Sequence, residues 1–136
     1  MGITTELQQE YDFEIVDEFV DHFSVMCDIM EIVIIGLEKP SEYAHNIQEL
    51  FRIFHNIKSA SSFLKIEPVM HIAILTEDLL SMAREMEGPA EATFVNWLLL
   101  VRDQYFQWSQ DLLNDSDLAP TNPEITATIP TTFQRT

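Results

Sequence analysis

The stretch 51-FRIFHNIKSASSFLKI-66 decides how this chain is read. Its apolar residues recur at steps of three and four, the spacing of an amphipathic helix. Its middle, however, holds one histidine, one lysine and then four small residues, Ser59-Ala60-Ser61-Ser62. On a wheel of about 100° per residue, Ile47, Leu50, Ile53, Phe54, Ile57, Ala60, Ser61 and Leu64 gather in one broad sector opposite His55. That sector is the expected core stripe. Gln48, Phe51, Arg52, Lys58, Ser59 and Ser62 fall within about 60° of His55. The histidine is therefore expected on the outward side, with a low surface around it.

Each neighbour on that side has a chemical use. Lys58 at i+3 can bring its ammonium to an anion carried by the ring. Ser59 at i+4 and Ser62 at i+7 leave room for another protein's loops. Phe51 at i−4 is expected as an exposed aromatic docking contact or, at the margin of the core stripe, as a packing residue, with Arg52 and Gln48 beside it. An imidazole has an ordinary pKa of about 6.5, so a neutral, nucleophilic ring nitrogen is abundant near pH 7. A nearby cation stabilises an arriving phosphoryl group, and a carboxylate on the other ring nitrogen fixes the tautomer. Glu77, in the next helix, is the candidate carboxylate.

Outward from this stretch the chain reads as helices. From Asp12 to Glu38, residues Phe13, Val16, Phe19, Val20, Phe23, Met26, Cys27, Met30 and Ile34 mark a long amphipathic helix. Pro40 ends it, because proline cannot continue the hydrogen-bond ladder. Ser41 is then the expected N-cap of the helix that carries His55, which should run to about Leu64. A third helix is expected from about Pro68 to Glu87, and a fourth from Pro89 to Leu113. Thr5 to Tyr11 is expected as a short extra helix or an extension of the first. Residues 114–136 contain three prolines and no helical periodicity, so a flexible, disordered tail or linker is expected there. The fold class is all-α: an antiparallel, up-down-up-down four-helix bundle over residues 1–113.

The 136 residues carry 23 acids against 7 lysines and arginines, a net charge of −16. Such a chain repels phosphate backbones, so nucleic acid is excluded as a natural partner. Three of its cations, Arg52, Lys58 and Lys65, nevertheless lie within the stretch 51–66. This basic island suits a small anion or an acidic pocket on a partner; the alternative is chance clustering on a solvated face. No apolar run approaches the roughly 20 residues needed to span a membrane, and no leader pattern opens the chain. A single cysteine, Cys27, excludes an internal disulfide and fits a cytoplasmic setting.

At "FHNIKSASSFL" the sequence resembles a histidine-containing phosphotransfer (HPt) domain, and most closely the phosphotransfer domain of chemotaxis-type histidine kinases. The pattern is His, two residues, Lys, then small residues. The downstream "VMHIAILTEDLLSMAR" resembles the partner helix of that family, and the likeness covers about residues 8–113. It implies that His55 is the phosphorylated residue, Lys58 the phosphate-side cation and Glu77 the carboxylate that orients the imidazole. The family's usual Gly after the Lys is Ser59 here, and a later small or Gly position is Ser62. The position three before the carboxylate, often His in chemotaxis-type members, is Ile74. The resemblance further implies exchange with a response-regulator receiver domain, whose phospho-aspartate and Mg²⁺ belong to that partner, or phosphorylation by a sensor or chemotaxis-type histidine kinase. No cofactor is expected in this chain, and a monomer is expected by analogy. The chain has no Gly-rich phosphate loop, so it reads as a carrier, or as a piece of a larger kinase.

Two other readings compete. Glu42 and His45 form one Glu-x-x-His, the motif that carboxylate-bridged metal bundles carry on two helices; with a single copy, no metal site is expected. Alternatively, the bundle docks a receiver or kinase without passing phosphate, a reading that Ser59 and Ile74 would suit.

Overall fold

A computed structural model describes residues 2–135. Six helices follow in order: α1 Ile3–Glu10, α2 Phe13–Gly36, α3 Tyr43–Phe63, α4 Glu67–Ala83, α5 Ala92–Leu113 and the single turn α6 Glu124–Ala127. Helices α2 to α5 form the expected bundle. The pairs α3–α4, α2–α5 and α2–α3 make its most extensive contacts. The core stripe of α3 is as the wheel predicts: Ile47, Leu50, Ile53, Phe54, Ile57, Ser61 and Leu64 are buried, and Ala60 is half-buried. The Ser61 hydroxyl is satisfied within its own helix, donating to the Ile57 carbonyl at 2.6 Å.

The largest core residues are Trp108, Tyr105, Tyr43, Phe23, Phe54 and Phe94, all fully buried. Buried aromatics with polar tips need partners for those tips. Tyr105 donates to the Val69 carbonyl at 2.8 Å, and Tyr43 donates to the Ala83 carbonyl at 2.7 Å, both on α4. These bonds tie α5 and the start of α3 to the two ends of the helix that carries Glu77. Cys27 packs in the same core. Burial, reinforced by Asp28 and only partly opposed by Arg102, pushes its thiol up to about 12, so it is no nucleophile at neutral pH.

The boundaries differ from expectation in three places. Ser41 does not cap α3; Glu42 holds that position, with no side-chain cap. Helix α4 stops at Ala83 rather than near Glu87. Pro89 does not open α5: it follows a cis peptide bond, and α5 starts at Ala92. The loop between α4 and α5 needs glycine at residue 88, where φ is +79° and any Cβ would sit 2.3 Å from the Tyr43 ring.

The corner that turns α3 into α4 is a Schellman motif without its usual glycine. Ile66 N–H reaches the Ser61 carbonyl at 2.9 Å, Lys65 N–H reaches that of Ser62 at 3.2 Å, and Lys65 takes the left-handed φ of +57°. Lys65, one of the three cations of the stretch 51–66, thus supplies the left-handed residue of this turn through its backbone, and it is exposed.

Residues 114–135 are not the disordered tail expected from their composition. The Trp108 indole donates to the Ala119 carbonyl at 2.9 Å, and the Trp97 indole donates to the Ile125 carbonyl at 2.8 Å. Ile125 and Phe133 are buried, with Phe133 edge-on to Phe94 at 4.9 Å between centroids. Gln134 bridges to Ala90, and its side-chain oxygen accepts from the backbone of Glu87 and Gly88 at 3.1 Å each. Asp115 accepts from Thr5, both backbone and hydroxyl, and so fixes α1 to the end of α5. Periodicity could not reveal this. The segment packs through isolated anchors spaced along an extended strap, not through one face of a helix.

Candidate functional site

His55 lies in the middle of α3, on the side away from the core. Its side chain is 53% exposed, against 14% for Glu77 and 30% for Lys58. Glu77 projects from the middle of α4 because α3 and α4 run antiparallel and side by side. Its carboxylate is shared. Oε2 lies 3.0 Å from His55 Nδ1, and Oε1 accepts from Lys58 Nζ at 2.6 Å.

The protonation pattern follows from this geometry. Partial burial by itself would raise the Glu77 carboxyl, but the hydrogen bonds from Lys58 and His55, with their charges, outweigh it. The group is held below its ordinary value of 4.5, so it is ionised at neutral pH. An ionised carboxylate only accepts, so the hydrogen between it and the ring belongs to Nδ1. In neutral imidazole the lone pair then sits on Nε2, at the other edge of the ring.

One pH dependence follows, with its sign. A carboxyl lowered on folding adds stability that is complete above its ordinary value of 4.5 and is lost as pH falls through the folded value. The difference in melting temperature between wild type and Glu77→Gln is therefore expected to be larger at pH 7 than at pH 3. Thermal melts of both proteins at a series of pH values measure it.

The remaining residues divide between two flanks of His55. On the α4 flank, Phe51 is half-buried rather than openly exposed, and its ring stacks on the imidazole at 6.3 Å and 12°. Lys58 lies on this flank as well. On the open flank, Gln48, Arg52 and Ser59 are exposed, and Ser62 is exposed one turn further on. Arg52 is paired with Glu49 on its own helix at 2.8 Å. Ile74, one turn before Glu77, is partly exposed and supplies no polar group. On α2, Val25, Ile29 and Ile32 are exposed.

One residue at the site went unmarked in the sequence. Arg84 caps the C-terminus of α4, with its guanidinium 4.2 Å from the centre of the Phe51 ring. The signal was present: Arg84 is seven residues after Glu77, two turns along the same helix face. Glu42 and His45 do not gather further ligands. Glu42 pairs with Lys39 at 3.5 Å, His45 is exposed, and no group of three or more His, Cys, Asp or Glu that could hold a metal ion occurs among the described residues. No helix among those residues is long and apolar enough to cross a membrane.

Comparison with curated proteins and with solved structures returned no match. A family model, described as the Hpt domain, matches residues 14–115, which span α2 to α5 with His55, Lys58 and Glu77 inside. A four-helix bundle with an outward histidine and a match over most of its length has one consistent reading: the chain belongs to the Hpt domain family, the histidine phosphotransfer modules of two-component phosphorelays.

Proposed function

We propose that this chain accepts a phosphoryl group on Nε2 of His55 and passes it to a response-regulator receiver domain. The observation that carries the reading is the hydrogen bond between Nδ1 and the ionised Glu77 carboxylate, which leaves Nε2 as the free, outward nucleophile. A surface used only for docking has no need of a fixed tautomer, so this bond favours chemistry over the docking-only alternative.

In the proposed step Nε2 attacks the phosphorus of a receiver's aspartyl phosphate. The Nε2–P bond forms as the acyl O–P bond breaks, and the electron pair leaves on the aspartate carboxylate. Nδ1 keeps its proton. The ring thereby becomes cationic, and Glu77 stabilises that charge. Lys58, held beside the ring through its bond to Glu77, supplies positive charge to the phosphoryl oxygens. The reverse step returns the group to a receiver. A histidine kinase domain is the other proposed donor, and any Mg²⁺ belongs to the partner. The exposed Gln48, Arg52, Ser59 and Ser62 form the proposed surface on which the partner's loops rest.

The test is incubation with a phosphorylated receiver or a histidine kinase, followed by mapping of the label. Label on His55 is the expected result, and label elsewhere refutes the reading. Lys58→Ala is expected to slow transfer about 10- to 100-fold, because a cation near the moving charge is lost. Its stability cost should stay near 1 kcal/mol, since the ion pair is partly solvated. Rapid-quench transfer assays and urea melts measure the two quantities. An unfolded Lys58→Ala protein would contradict the placement of this side chain at the surface.

A further inference from the structure

We propose that Phe51, braced by Arg84, is a positioning residue that fixes the plane of the His55 imidazole and so the direction of Nε2. The proposal rests on His55 being the phosphoacceptor, and it concerns what the hydrogen bond to Glu77 leaves undone. That bond tethers one edge of the ring at 3.0 Å. The ring can still rock about the tethered edge, and rocking sweeps Nε2, the atom furthest from the tether, across the line of attack. In-line phosphoryl transfer is sensitive to this, because misplacement by about 1 Å costs up to 100-fold in rate. His55 is half exposed, so the core does not restrain it.

Phe51 provides the second restraint. Residues four apart share a helix face, and the Phe51 ring lies nearly parallel to the imidazole, 12° off at 6.3 Å. A half-buried phenyl at a helix margin could itself change rotamer. Arg84 opposes this: its guanidinium sits 4.2 Å from the ring centre, well inside the roughly 6 Å reach of a cation–π contact. Among the described residues no ion pair engages Arg84, in a chain where acids outnumber cations 23 to 7. The aromatic face, not a carboxylate, is what holds it.

The order along the helices separates Arg84 from direct chemistry. From Glu77 to Arg84 is seven residues of α4, about 10 Å; from His55 back to Phe51 is four residues of α3, about 6 Å. Because the helices are antiparallel, both moves run the same way. Phe51 therefore stands between the guanidinium and the imidazole, and Arg84 acts through it.

Phosphoramidate tests the proposal without any partner protein. Its P–N bond breaks, ammonia leaves with the electron pair, and the P–Nε2 bond forms. Phe51→Leu is expected to slow this labelling about three- to tenfold, with Phe51→Tyr near the wild-type rate. Arg84→Ala should slow it less, and Arg84→Lys should recover part of the loss. The nuclear relaxation of the His55 ring is the readout that a merely structural role would not move: its order parameter should fall in Phe51→Leu and Arg84→Ala while the melting temperature stays close to wild type. Wild-type labelling rate and ring order in both variants would overturn the proposal. If Phe51→Leu does not fold, Arg84→Ala decides alone, since its side chain is at the surface. A wild-type protein that takes no label from any donor would refute His55 as phosphoacceptor instead. The ring-order measurement would still decide whether the brace exists.

Discussion

Replacing His55 with glutamine is expected to abolish phosphoryl labelling while leaving the fold intact. Glutamine offers an amide nitrogen whose lone pair is delocalised into the carbonyl, so it is no nucleophile, and no other group replaces Nε2. The loss should be complete rather than graded. His22, His45 and His71 are also exposed, yet none carries the Glu77-type hydrogen bond among those described. Stability should change by no more than about 0.5 kcal/mol, since the side chain is half exposed and Glu77 keeps its bond to Lys58. The check is acid lability, because a phosphoramidate P–N bond hydrolyses in acid while a phosphoserine ester survives. Acid-stable label, or label that persists in His55→Gln, would refute the assignment.

Ending the chain after Leu118 is expected to cost about 3 to 6 kcal/mol of folding stability, from the lost burial of Ile125 and Phe133 at about 1.5 to 3 kcal/mol each. Removal of residues 119–136 also takes away the carbonyls that receive the Trp97 and Trp108 indoles. Against a typical total of about 5 to 15 kcal/mol, that is a loss of about a fifth of the stability at the least, and of all of it at the low end of the range. Urea melts followed by circular dichroism measure the difference. Unchanged stability would mean that the strap adds nothing to the bundle, as its composition alone suggests. Among the described hydrogen bonds none links the strap to His55, Lys58 or Glu77, so a truncated protein kept folded by cold or osmolyte should still accept phosphate.

The four-helix core was legible in the sequence because its signal is local and repeated. Val16, Phe23, Met30 and Ile34 on α2 and Ile47, Phe54 and Ile57 on α3 recur at the helical period, and all are buried. The helix ends were less legible. Pro89 looks like a helix start, but Gly88 must meet the Tyr43 ring, a contact some 45 positions away that overrides the local preference. The strap was illegible for the same reason: Ile125 and Phe133 are single anchors, and their partners Trp97 and Phe94 lie on another helix.

By itself the sequence determined that His55 faces outward, that Lys58 shares its face and that the serines leave the surface low, since helical geometry ties these residues together at fixed angles. Only the tertiary structure decided which flank of His55 meets α4. The packing of α3 on α4 turns Lys58 and Phe51 toward Glu77 and Arg84 and leaves Gln48, Arg52 and Ser59 open. A helix wheel fixes angles within one helix, whereas the rotation of one helix against another is set by core side chains far apart in the chain. That rotation is what brings an ionised carboxylate to Nδ1 and leaves Nε2 free.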